Sequence, residues 1–172
     1  MQISVDDEID RVRREWAEEL PQLDTSPLEV IGRILRAEHL AGAELRRGLR
    51  RAGLDRGSFD ALATLRRTGP PYRLTPTGLA ERLVLTSGAI THLVDELARA
   101  SLVRRVPGDR DRRSTQVELT ERGREVIEET MASYLEQEAR MTAHLSPGER
   151  SALAEGLRRL LQGMEEDGDE PG

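Results

Sequence analysis

Asp109 to Arg113 reads Asp-Arg-Asp-Arg-Arg, which crowds the guanidinium groups of Arg110, Arg112 and Arg113 into one short stretch directly after Pro107-Gly108. Arginines placed beside a Pro-Gly break belong on a protruding loop, and a guanidinium on such a loop suits the narrow, electronegative minor groove of duplex DNA. Upstream, Ser87, Gly88, Thr91, His92 and Asp95 recur at helical spacing as a small, polar edge. Ile90, Val94 and Leu97, at i, i+4 and i+7, form the opposite, apolar edge. A helix of this kind can bring its N-terminal polar face to base edges in a major groove while its back packs on a neighbouring helix. No enzymatic chemistry competes with this reading. His39, His92 and His144 are scattered without metal-ligand spacing, no nucleophile and base stand at motif spacing, and no glycine-rich loop cradles a phosphate or a cofactor.

These groups need elements that hold them. Thr75 before Pro76 is a helix start with proline at the first helical position, where its missing N–H costs nothing, and Gly78 to Leu83 completes a short helix. Val84 to Ser87 is a turn, and Thr86 or Ser87 caps the polar-faced helix that follows. After Leu102 the period changes from helical to alternating. Val103 and Val106 flank Arg104 and Arg105, and Val117 and Leu119 alternate with Gln116 and Glu118, so the arginine-bearing stretch becomes the tip of a two-stranded hairpin. Thr120 with Gly123 opens another helix, and Pro71-Tyr72-Arg73-Leu74 is a candidate third strand beside the hairpin. The whole is a helix-turn-helix followed by a wing. Its candidate DNA contacts are Thr75, Thr86, Ser87, Gly88, Thr91 and His92 on the helices, and Arg110, Arg112 and Arg113 on the wing.

The pattern Asp111-x-Arg113-x-x-x-Val117-x-Leu119-Thr120-x-x-Gly123 resembles the wing signature of the MarR family of transcriptional regulators. In that signature the acidic residue fixes the wing backbone and aims an arginine, which adds Asp111 to the candidate site. The segment from Phe59 to Arg105 resembles the same family almost without gaps, and the likeness spans roughly residues 28 to 164. It implies a homodimer that binds a double-stranded, pseudo-palindromic DNA operator, with repression by promoter occlusion as the family default. An N-terminal helix carrying Trp16, together with Asp60 and Arg105, further resembles the urate-responsive branch. There a tryptophan, an aspartate and an arginine at those motif positions help hold a planar anion. Trp16 would stack a flat ring, Arg105 would meet its anionic edge, and Asp60 would orient the arginine or accept a ring N–H. Where that branch has an Asn-Arg pair in the recognition helix, this chain has His92 and Leu93, so a phenolic or other aromatic carboxylate stands beside urate as the implied effector. Leu93 and Glu96 also stand where arginines are frequent in close relatives, which shifts cationic contact toward the wing.

A chain of 172 residues forms one domain, or one with appended helices, and buries ~70% of its unfolded surface. With only Trp16, Phe59, Tyr72 and Tyr134 aromatic, its core rests on Leu, Ile, Val and Ala. The formal charge of −6 argues against nucleic acid until its distribution is considered. From Arg66 to Arg113 ten arginines face five acidic residues, leaving −11 on the remainder, and such a basic stripe is sufficient for phosphate contact. The absence of cysteine excludes a thiol switch and fits a reducing cytoplasm. No apolar run approaches the ~20 residues of a membrane span, so no membrane association is expected.

The fold class expected is mainly α with a small β-hairpin wing, an α+β arrangement. Residues 1–52 are N-terminal helices for the ligand pocket wall and dimerisation, 53–119 the winged helix-turn-helix, 120–164 C-terminal dimerisation helices, and 165–172 a disordered acidic tail. Ser4 is expected to cap a first helix with the stripe Val5, Ile9, Val12, Trp16 and Leu20. Ser26-Pro27-Leu28-Glu29 reads as a capping box for a long second helix, Ser58 as the start of a third, and Ser146-Pro147-Gly148-Glu149 as the cap of the last. The competing reading is a winged helix kept only as a protein-interaction module.

Overall fold

The computed structural model describes residues 6–108 and 114–168. Among these residues seven helices and three short strands follow one another as α1 (Glu8–Glu19), α2 (Leu28–Arg51), α3 (Arg56–Arg67), β1 (Arg73–Leu74), α4 (Pro76–Leu83), α5 (Ser87–Arg99), β2 (Val103–Pro107), β3 (Thr115–Leu119), α6 (Glu121–Met141) and α7 (Pro147–Gly168). This is the mainly helical architecture with a small antiparallel sheet that the sequence predicts. The third strand forms as well: the sheet order is β1-β3-β2, with Arg73 opposite Glu118 and Leu74 opposite Val117.

The core is centred on α3, whose Phe59, Ala61, Leu62, Ala63, Thr64 and Leu65 are all buried. Leu79 and Ala80 of α4, Ile90, Val94 and Leu97 of α5, Val103 and Val117 of the sheet, and Ile127 of α6 close around it. Tyr134 of α6 stacks on Phe59 with ring centroids 4.8 Å apart, an aromatic anchor between α3 and the C-terminal helices. Gly123 makes the crossing at the start of α6 possible. A Cβ there would lie 1.9 Å from the Leu102 carbonyl oxygen, so any side chain would push α6 off the sheet.

Local capping departs from expectation at three helices. Asp7, not Ser4, caps α1, accepting from the N–H groups of Ile9 and Asp10, and Ser4 and Val5 lie outside the described residues. The expected box at Ser26 does not form. Asp24 takes both the Ser26 N–H and its hydroxyl, each at 2.9 Å, so α2 begins behind Pro27 without a side-chain cap. Asp55 caps α3 by accepting from Ser58 N–H at 2.7 Å, and the helix starts at Arg56, ahead of the expected Ser58. The box before α7 does form: Ser146 N–H donates to Glu149 at 2.8 Å, and Glu149 N–H donates back to the Ser146 hydroxyl. α7 continues to Gly168, four residues into the segment expected to be disordered. Extending an existing helix needs no new nucleus, and Glu165 and Glu166 are good helix formers.

No residue of α1 is buried, and its expected stripe is not enclosed: Trp16 remains 50% exposed. Several ion pairs join α1 to α2, while its Ile9, Val12 and Leu20 are half-buried. Arg33 donates to Asp7 at 2.9 Å and to Asp10 at 2.8 Å, Arg36 lies 3.5 Å from Glu8, and Arg13 pairs with Glu29. Ile9 packs over Gly32 at the centre of this contact. Leu35 of α2, Leu135 of α6, and Leu153, Leu161 and Met164 of α7 are more than half exposed, so apolar stripes at both ends of the chain stay uncovered within one protomer.

Candidate nucleic-acid interface

The helix-turn-helix is built by two threonine caps. Thr75, extended before Pro76, accepts from Gly78 N–H at 3.1 Å and starts α4, while Thr86 accepts from Ala89 N–H at 3.3 Å and starts α5. Between them Val84 adopts the left-handed conformation, which turns the chain so that the two helices pack. Ile90, Leu93, Val94 and Leu97 bury one side of α5. Ser87, Gly88, Thr91, His92 and Asp95 are all exposed on the other, as predicted from their spacing. Nothing stands over Gly88, leaving the first turn open to close approach. Thr91 donates its hydroxyl back to the Ser87 carbonyl at 2.8 Å, and His92 lies 3.7 Å from Glu96.

Leu93 requires a correction. It is 8% exposed and faces the core, because it falls at i+3 from Ile90 on the buried edge, so it does not occupy a groove-facing position. The shortage of cations on the exposed face of α5 therefore comes from Ser87, Thr91, His92 and Glu96.

The hairpin beside α5 pairs Val103 with Leu119, Arg105 with Val117 and Pro107 with Thr115. Its tip arginines Arg110, Arg112 and Arg113, with Asp111, lie outside the described residues. At its root Arg105 pairs with Asp95 of α5 at 2.5 Å, tying the wing directly to the recognition helix. On the other face of the sheet Arg104 directs both Nε, at 3.0 Å, and Nη2 to Oε1 of Glu118, while Arg73 Nη1 lies 3.7 Å from Oε2. Sequence reasoning did not single out this Arg-Glu-Arg row. Its only linear trace is the alternation of Arg104 and Glu118 with valines, and the pairing depends on the register of β2 against β3.

The three residues proposed to hold a ligand make separate contacts. Trp16 lines a shallow, largely apolar groove with Leu23, Pro27 and Leu28. Asp60 accepts from Arg56 Nε at 2.8 Å, and Arg56 also donates to the Tyr134 hydroxyl at 3.3 Å. The Asp60 hydrogen bond raises the already high pKa of Arg56, so the cation beside Asp60 is not Arg105 but Arg56. Its i, i+4 spacing from Asp60 was visible in the sequence. Arg105 is engaged by Asp95.

The profile of the MarR family matches residues 52–114, the stretch from just after α2 to just before β3. The chain is 32% identical over 153 residues to the HTH-type transcriptional regulator PecS of Dickeya dadantii (strain 3937), covering 89% of this chain and 92% of that protein. It is 31% identical over 110 residues to the HTH-type transcriptional repressor YetL of Bacillus subtilis (strain 168), covering 64% and 65% respectively. Among solved structures it resembles Sco3205, a MarR family transcriptional regulator from Streptomyces coelicolor in complex with DNA, at 27% identity and a TM-score of 0.68, over 83% of this chain and 91% of that one. A buried α3 carrying a capped helix-turn-helix, a three-stranded wing sheet and these relatives converge: the chain belongs to the MarR family of DNA-binding transcriptional regulators.

Proposed function

We propose that this regulator is a cytoplasmic repressor that binds a pseudo-palindromic operator as a homodimer and is released by a small, planar, aromatic anion. The observation that carries the DNA reading is α5, whose apolar edge is wholly buried while Ser87, Gly88, Thr91 and His92 stand exposed behind the Thr86 cap. Thr75 and Thr86 present the helix starts to the phosphate backbone, and Arg110, Arg112 and Arg113, with Asp111 orienting the loop, enter the flanking minor groove. Residues 53–119 form the DNA-reading unit. Residues 1–52 and 120–164 supply the dimer, an assignment supported by the uncovered apolar stripes of α2, α6 and α7. Two recognition helices then meet half-sites about 34–36 Å apart. No helix among the described residues is long and apolar enough to cross a membrane.

The effector acts through Trp16, Asp60 and Arg105, with urate and aromatic carboxylates as the two ligand chemistries. Arg105 supports a route from ligand to DNA: an anion that binds its guanidinium competes with Asp95 for it, and so loosens the wing from the recognition helix.

The DNA reading is tested by selecting duplexes from a random pool with the full-length protein, then measuring salt-dependent affinity. An inverted repeat should emerge, bound by a species that sediments as a dimer. Arg113→Ala should weaken binding by about 1–3 kcal/mol and reduce the salt slope by about 1. A monomeric protein that selects no duplex would favour the protein-interaction module instead.

A further inference from the structure

We infer that Glu118 is a positioning residue for the wing, a buried carboxylate that straps all three strands together and fixes the angle at which the hairpin meets DNA. This rests on the DNA reading above. Glu118 lies on the central strand, opposite Arg73 of β1 and opposite Arg104 of β2. Its side chain is 12% exposed, while that of Arg104 is 64% exposed. Each carboxylate oxygen serves a different arginine: Oε1 accepts from Arg104 and Oε2 faces Arg73. One side chain therefore spans the sheet.

The strap matters because of what β1 connects. β1 contains only Arg73 and Leu74, and the next residue is Thr75, the cap of α4. Two residues of ladder are a weak joint between the helix-turn-helix and the hairpin. At that joint Glu118 adds an ion contact of 3.7 Å to Arg73, on side chains 12% and 23% exposed, where water screens charge less than at the open surface. The opposite face of the sheet is pinned independently, by buried Val103, Val117 and Leu119 and by the Arg105–Asp95 pair.

The charge of Glu118 makes the inference testable by sign. A carboxylate on a DNA-binding lobe repels phosphate, so its neutralisation should tighten binding if net charge alone governed affinity. A strap predicts the reverse. The experiment uses full-length protein and a fluorescein-labelled duplex selected by the wild type, with affinity, thermal melting and footprints measured for Glu118→Gln and Glu118→Asp. Glu118→Gln should bind about fivefold or more weakly. It should lose hydroxyl-radical protection of the flanking minor grooves and keep dimethyl sulfate protection of guanine N7 in the major groove. Glu118→Asp, which keeps the charge with a shorter reach, should fall between it and the wild type. Equal or tighter binding by Glu118→Gln, or a uniform loss of protection in both grooves, overturns the inference. If Glu118→Gln does not fold, a folded Glu118→Asp with wild-type flank protection overturns it equally. A wild type that selects no duplex defeats the DNA reading itself, whereas a wild type that binds and a Glu118→Gln that binds as well defeats only the strap.

Discussion

A β-branched residue is disfavoured in the left-handed region because its γ-carbons crowd the backbone, yet Val84 holds φ 54° and ψ 47° at the end of α4 with 91% of its surface exposed. The conformation is imposed by the turn: Val84 N–H bonds the Ala80 carbonyl, and Leu85 N–H follows to the same oxygen at 3.0 Å, the closure that usually falls to glycine. Because Val84 buries so little, substitution forfeits almost no packing. Val84→Gly should therefore raise stability by about 1 kcal/mol, the relief of backbone strain outweighing the added freedom of the unfolded chain. Chemical denaturation would measure it, and a destabilised variant would show that the valine is held by contacts its exposure does not reveal. The turn was legible in the sequence from Thr86 and the apolar spacing behind it. The strain was not, since nothing in a Val-Leu-Thr-Ser stretch announces a positive φ.

Elements were legible where a single local interaction decides them. Thr75, Thr86, Thr120 and Ser146 each cap the helix predicted, because each bond closes over three residues and no neighbour competes. Ser26 failed because Asp24, two residues earlier, took its hydroxyl, and Ser58 was displaced by Asp55 as a stronger acceptor at the same helix start. Pairings between elements were illegible, since Arg104–Glu118, Arg105–Asp95 and Arg33–Asp10 depend on register and crossing angle. The last of these joins α1, which lacks a fully buried residue, to α2. The Arg33 hydrogen bond, joined by the Asp7 N–H, holds the Asp10 carboxyl below its ordinary value of 3.8. A depressed folded pKa stabilises docking above the ordinary value, and that contribution is lost as pH falls from there through the lowered one. Acidification below about pH 4 should release α1, read as a change in Trp16 emission and as faster hydrogen exchange across Glu8–Glu19. Arg33→Gln should bring the released signature to neutral pH. Identical Trp16 emission in that variant and the wild type would mean that Ile9 on Gly32, rather than the ion pairs, holds the helix.

At the scale of the whole molecule, the ligand reading asks how three separately engaged residues could answer to one small anion. Trp16 belongs to a helix with no fully buried residue, Asp60 to the helix at the centre of the core, and Arg105 to the root of the wing. A planar anion that drew them together would move α1 and release Asp95 while leaving the buried body of α3 in place. Such a ligand shifts the regulator only by its differential affinity for the DNA-competent and released forms, so the expected coupling is about 1–3 kcal/mol, or roughly 5 to 150-fold in operator affinity. Trp16 is the only tryptophan, so its fluorescence reports ligand stacking without ambiguity of source. Urate, xanthine, salicylate and protocatechuate titrated into the full-length protein should include one that quenches Trp16 and releases the selected duplex in parallel. Trp16→Phe should lose the signal and weaken the response. Arg105→Ala should fold and lose the DNA response to that ligand. Asp95→Asn should free Arg105 for the anion, so the same ligand should bind it more tightly than it binds the wild type. If no compound alters either fluorescence or DNA affinity, or if Arg105→Ala responds as the wild type does, the three residues do not form one site. Arg56, already beside Asp60 and Tyr134, would then be the cation to examine in its place.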